Sequence, residues 1–394
     1  MPEPTRAVAL LLNVAHALDH LFLLIFATAV GAIAVDFGIA RWEDLMPYTA
    51  GAFLMFGLCS IPAGRLGDLR GRRWMMLLFF HGMGLSAIAV ALTQNAWQIG
   101  LALTVLGAFS AIYHPVGIPM LLQGSTRPGR TIGINGLAGN LGIALAAVST
   151  GFLVKYFGWR AAFVVPGLIS IAAGLLFARV APPEAAAPAR KAGTSVHLPR
   201  GLAIRTFVVM VASATTGSLL FNFTTNGNAQ MMAERLDGLV SDPAALGMLL
   251  ALLYGVASLA QLVVGQLVDR VAIKPLFIAV LTLQILFFAL AAQSSGWAWY
   301  VLAIGCMVTV FGAIPFNDVM VARYIDDSLR SRVSGTRIAI SFGISSLAVA
   351  ALGPAVKAAG FTQLWLLMSG IAVVSLAIVA WLPGEKVLKA AMAR

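Results

Sequence analysis

Charge is scarce in this chain of 394 residues: Asp, Glu, Lys and Arg together make up 10% of it. Apolar residues make up 60%, and the mean hydropathy is +0.92. A soluble domain carries roughly 45–50% apolar residues, so a water-soluble globule is excluded. Cysteine is nearly absent. Cys59 and Cys306 each sit inside an apolar run, where free cysteine behaves as a small buried hydrophobe. Their spacing makes neither a disulfide framework nor a thiolate metal site. Also missing are a nucleotide-binding loop and a nucleophile–base pair, so the chain does not read as an enzyme. The net charge of +11 is not gathered into a basic helix or an aromatic-interleaved basic patch, which excludes nucleic acid as a partner.

Apolar runs of about 20 residues are what the chain has instead, each as long as a helix crossing the hydrocarbon core of a bilayer. Twelve are expected, at about 8–35, 47–66, 74–93, 97–123, 131–154, 161–179, 204–230, 244–268, 275–293, 298–322, 333–356 and 363–382. The first is longer than the apolar core of a signal peptide, about 7–15 residues. It is also interrupted by His16, Asp19 and His20, so it reads as a retained membrane helix. With the N-terminus inside, the outer links hold only Arg41, Lys155, Arg160, Arg235 and Lys357 among the basic residues. The positive-inside rule then places both termini in the cytoplasm. Trp97, Trp297, Trp299 and Tyr300 fall at predicted outer helix ends, as aromatic belts do.

Residues 181–200, APPEAAAPARKAGTSVHLPR, are rich in Pro and Ala and read as a flexible tether; His197 within it reads as solvated. The expected organisation is a six-helix bundle over 1–180, a cytoplasmic linker over 181–203, and a second bundle with a short tail over 204–394. The halves repeat one another. The shift that carries Gly64 onto Gly265 also carries Leu66, Asp68 and Arg73 onto Leu267, Asp269 and Lys274. Half-length repeats in helical membrane proteins mark transporters whose halves rock around a central site.

The link GRLGDLRGRR, residues 64–73, is the densest cluster of charge. Its glycines permit a sharp turn, and its arginines hold the link in the cytoplasm. Gly64, Leu66, Asp68, Gly71, Arg72 and Arg73 resemble the signature between helices 2 and 3 of the major facilitator superfamily, and FGWR at 157–160 is similar to the segment after its helix 5. The resemblance implies an all-α membrane protein, twelve transmembrane helices in two pseudo-symmetric bundles. It further implies that Asp68 latches onto the start of helix 11, RSRVSGTR at 330–337, when the cytoplasmic side is closed. Asp68, Arg72, Arg73 and the second-half Asp269 are therefore candidate gating residues. Asp318 and Arg337 sit at similar depth in helices 10 and 11, which suggests a further gating ion pair.

Polar residues inside the spans are the candidates for a site. Asn13, His16, Asp19 and His20 share one face of helix 1, and Asp19 lies roughly 18 Å along it, near the bilayer midplane. A carboxylate there costs about 2.5–3.5 kcal/mol to insert, so it is expected to face a cavity or a partner. With histidine beside it, the cluster can exchange protons across the working pH range. Helix 4 adds Tyr113 and His114 before Pro115, which is expected to kink it. His81 in helix 3 is a weaker candidate. Gly136, Gly139 and Gly142 in helix 5 permit close packing, and Asn135 beside them is expected to line the site. Ser218, Asn222, Asn226 and Gln230 form a stripe on helix 7 that reads as the opposite cavity wall. No second acidic or Cys ligand accompanies the histidines, so neither a metal nor a cofactor is expected.

The pairing of His16 and Asp19 with Tyr113-His114-Pro115 is similar to the fosmidomycin-resistance group of bacterial drug exporters. The resemblance implies a monomeric, proton-coupled exporter of a small molecule in the bacterial inner membrane, acting by antiport. Uptake of a small organic anion by symport or facilitated diffusion, and a non-transporting membrane sensor, are the other readings.

Overall fold

The protein is described from a computed structural model covering residues 4–125, 127–183, 199–325 and 327–392. Its helices are α1 (Arg6–Asp36), α2 (Ala50–Arg70), α3 (Arg72–Ala91), α4 (Ala96–Leu122), α5 (Pro128–Phe157), α6 (Trp159–Val180), α7 (Arg200–Arg235), α8 (Pro243–Val268), α9 (Ile273–Ala292) and α10 (Gly296–Tyr324). One further run, Asp327–Ala380, contains a non-helical Gly360 (φ 76°, ψ 171°) that divides it into α11 (327–359) and α12 (361–380). A short amphipathic α13 (Glu385–Met392) follows. Eleven stretches of the described chain are long and apolar enough to span a bilayer. The turn at Gly360 makes the last of them two, so the architecture is the expected twelve spans in two six-helix bundles.

Local chemistry sets the helix ends. Thr5, Asn95 and Asp242 accept hydrogen bonds from the first free N–H groups of α1, α4 and α8. Gly71 has φ 101°, a conformation that favours glycine, and it turns α2 directly into α3. The outer surface is apolar, with Leu58, Ile61, Leu101, Leu168 and Leu252 more than half exposed. That suits lipid contact, where only helices satisfy every backbone group.

The ends of α7 and the placement of two aromatic side chains differ from expectation. The α7 helix begins at Arg200, four residues early, and runs on to Arg235. Most of the expected tether, 184–198 with His197, lies outside the described residues. Trp97 and Trp297 are exposed at helix starts, but Trp299 is fully buried against Trp365, ring centroids 6.0 Å apart, and Tyr300 is also buried. A helix start presents all its faces within one turn, so these two side chains point inward.

The sequence repeat has a structural counterpart. Arg73 donates to the carbonyls of Ala181 and Ala178, both at 2.7 Å, at the end of α6. Its repeat partner Lys274 donates to the carbonyls of Leu382 and Ala380, at 2.8 and 2.7 Å, at the end of α12. Cations on the free carbonyls of a helix C-terminus are favourable. These two residues therefore tie each α2–α3 type link to the last helix of its own bundle.

The bundles meet at one end of the molecule, beside the α1–α2 and α7–α8 links. There Lys357 pairs with both carboxylate oxygens of Asp44 (2.5 and 2.8 Å), Lys155 pairs with Asp242, and Trp42 stacks on Phe361. A Cβ on Gly353 would lie 2.0 Å from the Glu43 carbonyl oxygen. Gly353→Ala should therefore oppose closure here by about 1–3 kcal/mol, the usual cost of overpacking. Gln230 lines a small cavity just beneath this seal. A cysteine replacing it should react several-fold faster with a water-soluble maleimide in the Gly353→Ala background; unchanged labelling would mean that the glycine does not set the closure.

Candidate functional site

The site begins with a distortion. Pro115 has no N–H to donate and cannot continue regular α-helix, and α4 opens into a π-turn over Tyr113–Gly117. Such turns aim side chains out of the helical register. Here they bring Tyr113 and His114 against α1. From the other side α5 comes equally close. A Cβ on Gly139 would meet the His16 ring at 2.7 Å, and one on Gly142 would meet the Ala17 carbonyl oxygen at 2.1 Å. The small-residue stripe of α5 thus makes room for the polar face of α1.

Within this space the polar residues form one connected cluster. A carbonyl oxygen only accepts, so the contact of 2.7 Å between His16 Nδ1 and the Asn135 carbonyl places the proton on Nδ1. The other ring nitrogen, Nε2, keeps its lone pair and lies 3.1 Å from His20 Nε2. Asn135 Nδ2 donates to the Tyr113 hydroxyl (2.6 Å) and to Asn13 Oδ1 (2.9 Å). The Tyr113 ring stacks on His16. Asp19 is fully buried. Its Oδ1 accepts a hydrogen bond from Ser110, while Oδ2 has no hydrogen-bond partner and lies 3.6 Å from His114 Nε2.

Above the cluster lies the central cavity, ≈ 1230 Å³ including its mouth. His20 and His114 line it, with Phe53 and Phe56 of α2, and Ser218, Asn222 and Asn226 of α7 face them. Asn222 donates to Ser345 Oγ at 2.8 Å and Ser218 pairs with the same hydroxyl at 2.7 Å, which ties α7 to α11. Asn226 Oδ1 is buried without a partner. Phe56 and Phe342 stack across the two bundles, centroids 4.1 Å apart. At the mouth Arg337 pairs with Asp318 at 2.6 Å, and the Asp318 side chain is 60% exposed. The cavity therefore reaches solvent at the end opposite the Asp44–Lys357 seal.

The candidate residues fall at different depths around the cavity. Asp19, His16, Tyr113 and Asn135 do not line the cavity. They lie behind His20 and His114, because the π-turn swings the His114 ring between Asp19 and the open space. Gln230 lines the smaller cavity under the seal rather than the central one. His81 is turned away, bonded to the Leu77 carbonyl and facing Gly174. The side chain of Asp68 is 70% exposed and pairs with Arg72 at 3.7 Å; most side chains of 330–337 lie outside the described residues. Arg72 reaches the Pro119 carbonyl at the end of α4. Asp269 is exposed and pairs with Arg323. Sequence reasoning missed Ser110, although it stands four residues before His114 on the same face. It also missed Gln261, which accepts from Asn140 across the bundles.

The family model of the Major Facilitator Superfamily matches residues 12–239. The chain belongs to the major facilitator superfamily. Its apolar spans make it a multi-pass membrane protein. Among curated proteins it is 31% identical over 158 residues to the tetracenomycin C resistance and export protein of Streptomyces glaucescens, covering 39% of this chain and 29% of that one. It is 24% identical over 250 residues to the multidrug resistance protein MdtG of Dickeya zeae, covering 59% and 58%. The matched part is thus less than two thirds of either relative. A bacterial homologue of the human lysosomal transporter Spinster, in an inward-facing, occupied conformation, shares the major facilitator fold. Its TM-score is 0.71 at 16% identity, covering 98% of this chain and 95% of that one.

Ser110 supplies the hydrogen bond to Asp19, and its removal leaves a buried carboxyl group without one. Ser110→Ala should lower stability by about 1–3 kcal/mol, and in an Asp19→Leu background it should cost much less. A double-mutant cycle on thermal midpoints in detergent measures the coupling; additive effects would mean that the contact carries no energy.

Proposed function

We propose that the chain is a proton-coupled exporter that moves a small molecule out of a bacterial cell by alternating access, in exchange for protons. It acts as a monomer in the inner membrane with both termini in the cytoplasm. One observation carries this reading: a fully buried carboxyl group whose free oxygen lies next to an imidazole that itself faces the central cavity. An uncompensated carboxylate in a dry interior is costly, and a proton on Asp19 or on His114 relieves that cost. His20 and His114 then pass protons between Asp19 and the cavity, with His16, Tyr113 and Asn135 holding the cluster in place. Substrate in the cavity favours proton release on one side, and the emptied site is reprotonated on the other. A membrane potential of 100 mV contributes roughly 2.3 kcal/mol per charge moved inward.

The cavity walls favour an amphipathic substrate. Phe53, Phe56 and Phe342 offer apolar faces, while Asn222 and Asn226 offer amide groups. Export agrees with the names of the tetracenomycin C and MdtG relatives. In this orientation the open mouth faces the cytoplasm. The Asp318–Arg337 pair and the two loop acids Asp68 and Asp269, with Arg72 and Arg73, form the cytoplasmic gate. Asp68 leaves its loose pairing with Arg72 and docks on the start of α11 when that side closes.

The test is a proteoliposome with an imposed pH gradient and a panel of amphipathic substrates. Wild type should show substrate-evoked proton movement, and Asp19→Asn should abolish it. Substrate flux that ignores the gradient in wild type would exclude proton coupling. Asp68→Ala should lose most transport at normal expression; full transport in that variant would remove the latch.

A further inference from the structure

We infer that His16, His20 and His114 form a binding site for one divalent transition-metal ion, of the class that zinc represents, at the floor of the central cavity. The inference deepens the proton reading, because it concerns the same cluster and names what competes with protons there. One nitrogen from each of the three imidazoles lies within 4.8 Å of the others. The Nε2 atoms of His16 and His20 are 3.1 Å apart, close to the edge of about 3.3 Å that Zn–N bonds of about 2.0–2.1 Å give in a tetrahedron. The two histidines stand one helical turn apart, the spacing by which a helix presents two imidazoles to one ion.

Two further observations point to a ligand. The Nδ1–H of His16 is held by a backbone carbonyl, the outer contact that fixes the ring of a metal-binding histidine and leaves Nε2 free. Asp19 Oδ2 is buried, has no hydrogen-bond partner and lies 3.6 Å from His114 Nε2, so it places negative charge beside the three imidazoles rather than among them. Three imidazoles, without a thiolate, suit zinc and similar ions of intermediate softness. Magnesium and calcium need about six or more oxygen donors, which this cluster does not offer. An ion enters from the cavity, where His20 and His114 are exposed to it. The other titratable or charged groups near the cluster are the phenol of Tyr113 on α4, and Arg337 of α11 paired with Asp318 of α10 at the mouth. The facing residues of α2, α5 and α7 are Phe56, Asn135, Asn222 and Asn226, all uncharged. The ion needs free nitrogen lone pairs, so its binding must expel whatever protons they carry.

The untagged, metal-free full chain in detergent tests this by titration with Co²⁺, read by visible absorption, and with Zn²⁺, read by calorimetry. One ion per chain should bind near neutral pH, Zn²⁺ should displace Co²⁺, and affinity should fall as pH is lowered. His20→Gln and His114→Gln should each weaken binding at least as much as the loss of an outer partner does, about 10–100-fold. His81→Gln, which alters a histidine outside the cavity, should bind as wild type. Gel filtration checks that each variant is folded, and the wild-type titration stands without them. No stoichiometric Zn²⁺ binding by wild type, or equal binding by His20→Gln and His114→Gln, overturns the site. If wild type exchanges protons in metal-free liposomes and binds no Zn²⁺, the metal site falls and the proton reading stands. If Zn²⁺ binds and wild-type substrate flux ignores the pH gradient in metal-free liposomes, the proton reading falls and the metal site stands.

Discussion

A carboxyl group sealed at mid-membrane has to be covered by partners, and in this protein much of the first bundle is arranged around covering Asp19. Ser110 takes one oxygen and His114 stands beside the other. Both come from α4: Ser110 ends its regular first stretch, and His114 lies in the π-turn at Pro115. The third wall is α5, admitted by Gly139 and Gly142. Had any of these three helices kept a regular path with ordinary side chains, Asp19 would meet lipid or a steric clash, and the insertion cost of about 2.5–3.5 kcal/mol would go uncompensated.

The second bundle answers with a different chemistry. Its facing wall is built from neutral amides and hydroxyls: Ser218, Asn222 and Asn226, braced by Ser345. The repeat therefore holds at the level of scaffold but not of function. Arg73 and Lys274 perform the same capping task in the two halves, whereas the buried acid has no charged counterpart on α7. One bundle carries the ionisable cluster, and the other offers polar contacts that do not titrate in the working range.

The twelve spans were legible because hydropathy and loop charge are read directly from residue types, and Gly360 turns the chain between the last two predicted spans. The polar cluster on α1 was legible too, since an acid flanked by histidines stands out in apolar surroundings. The order of the cluster was not. Periodicity shows that His16, Asp19 and His20 share a face, but not that a π-turn on another helix will push the His114 ring in front of Asp19. Ser110 was hidden because serine is common in membrane helices and unremarked without a partner. The inward turn of Trp299 depends on Trp365, which lies on a helix far along the chain.

The distribution of contact strengths bears on how such a molecule moves. The partners of Asp19 belong to its own bundle, so separating the bundles breaks none of them. The contacts between bundles at the closed end are of another kind. Lys357–Asp44 and Lys155–Asp242 are partly exposed pairs, and exposed pairs contribute about 0–1 kcal/mol each. Trp42 on Phe361 and the glycine approaches add packing that is lost in one step when the surfaces part. Deeper in, Phe56–Phe342 and Asn140–Gln261 join the halves near the cavity, where a bound molecule could supply replacement contacts. The contacts that cover Asp19 thus lie within one bundle, and the ion pairs and packing between bundles are ones that parting surfaces can exchange. A rocking motion of the kind proposed needs that division: the costly carboxylate stays covered while the seal exchanges partners at small energetic difference.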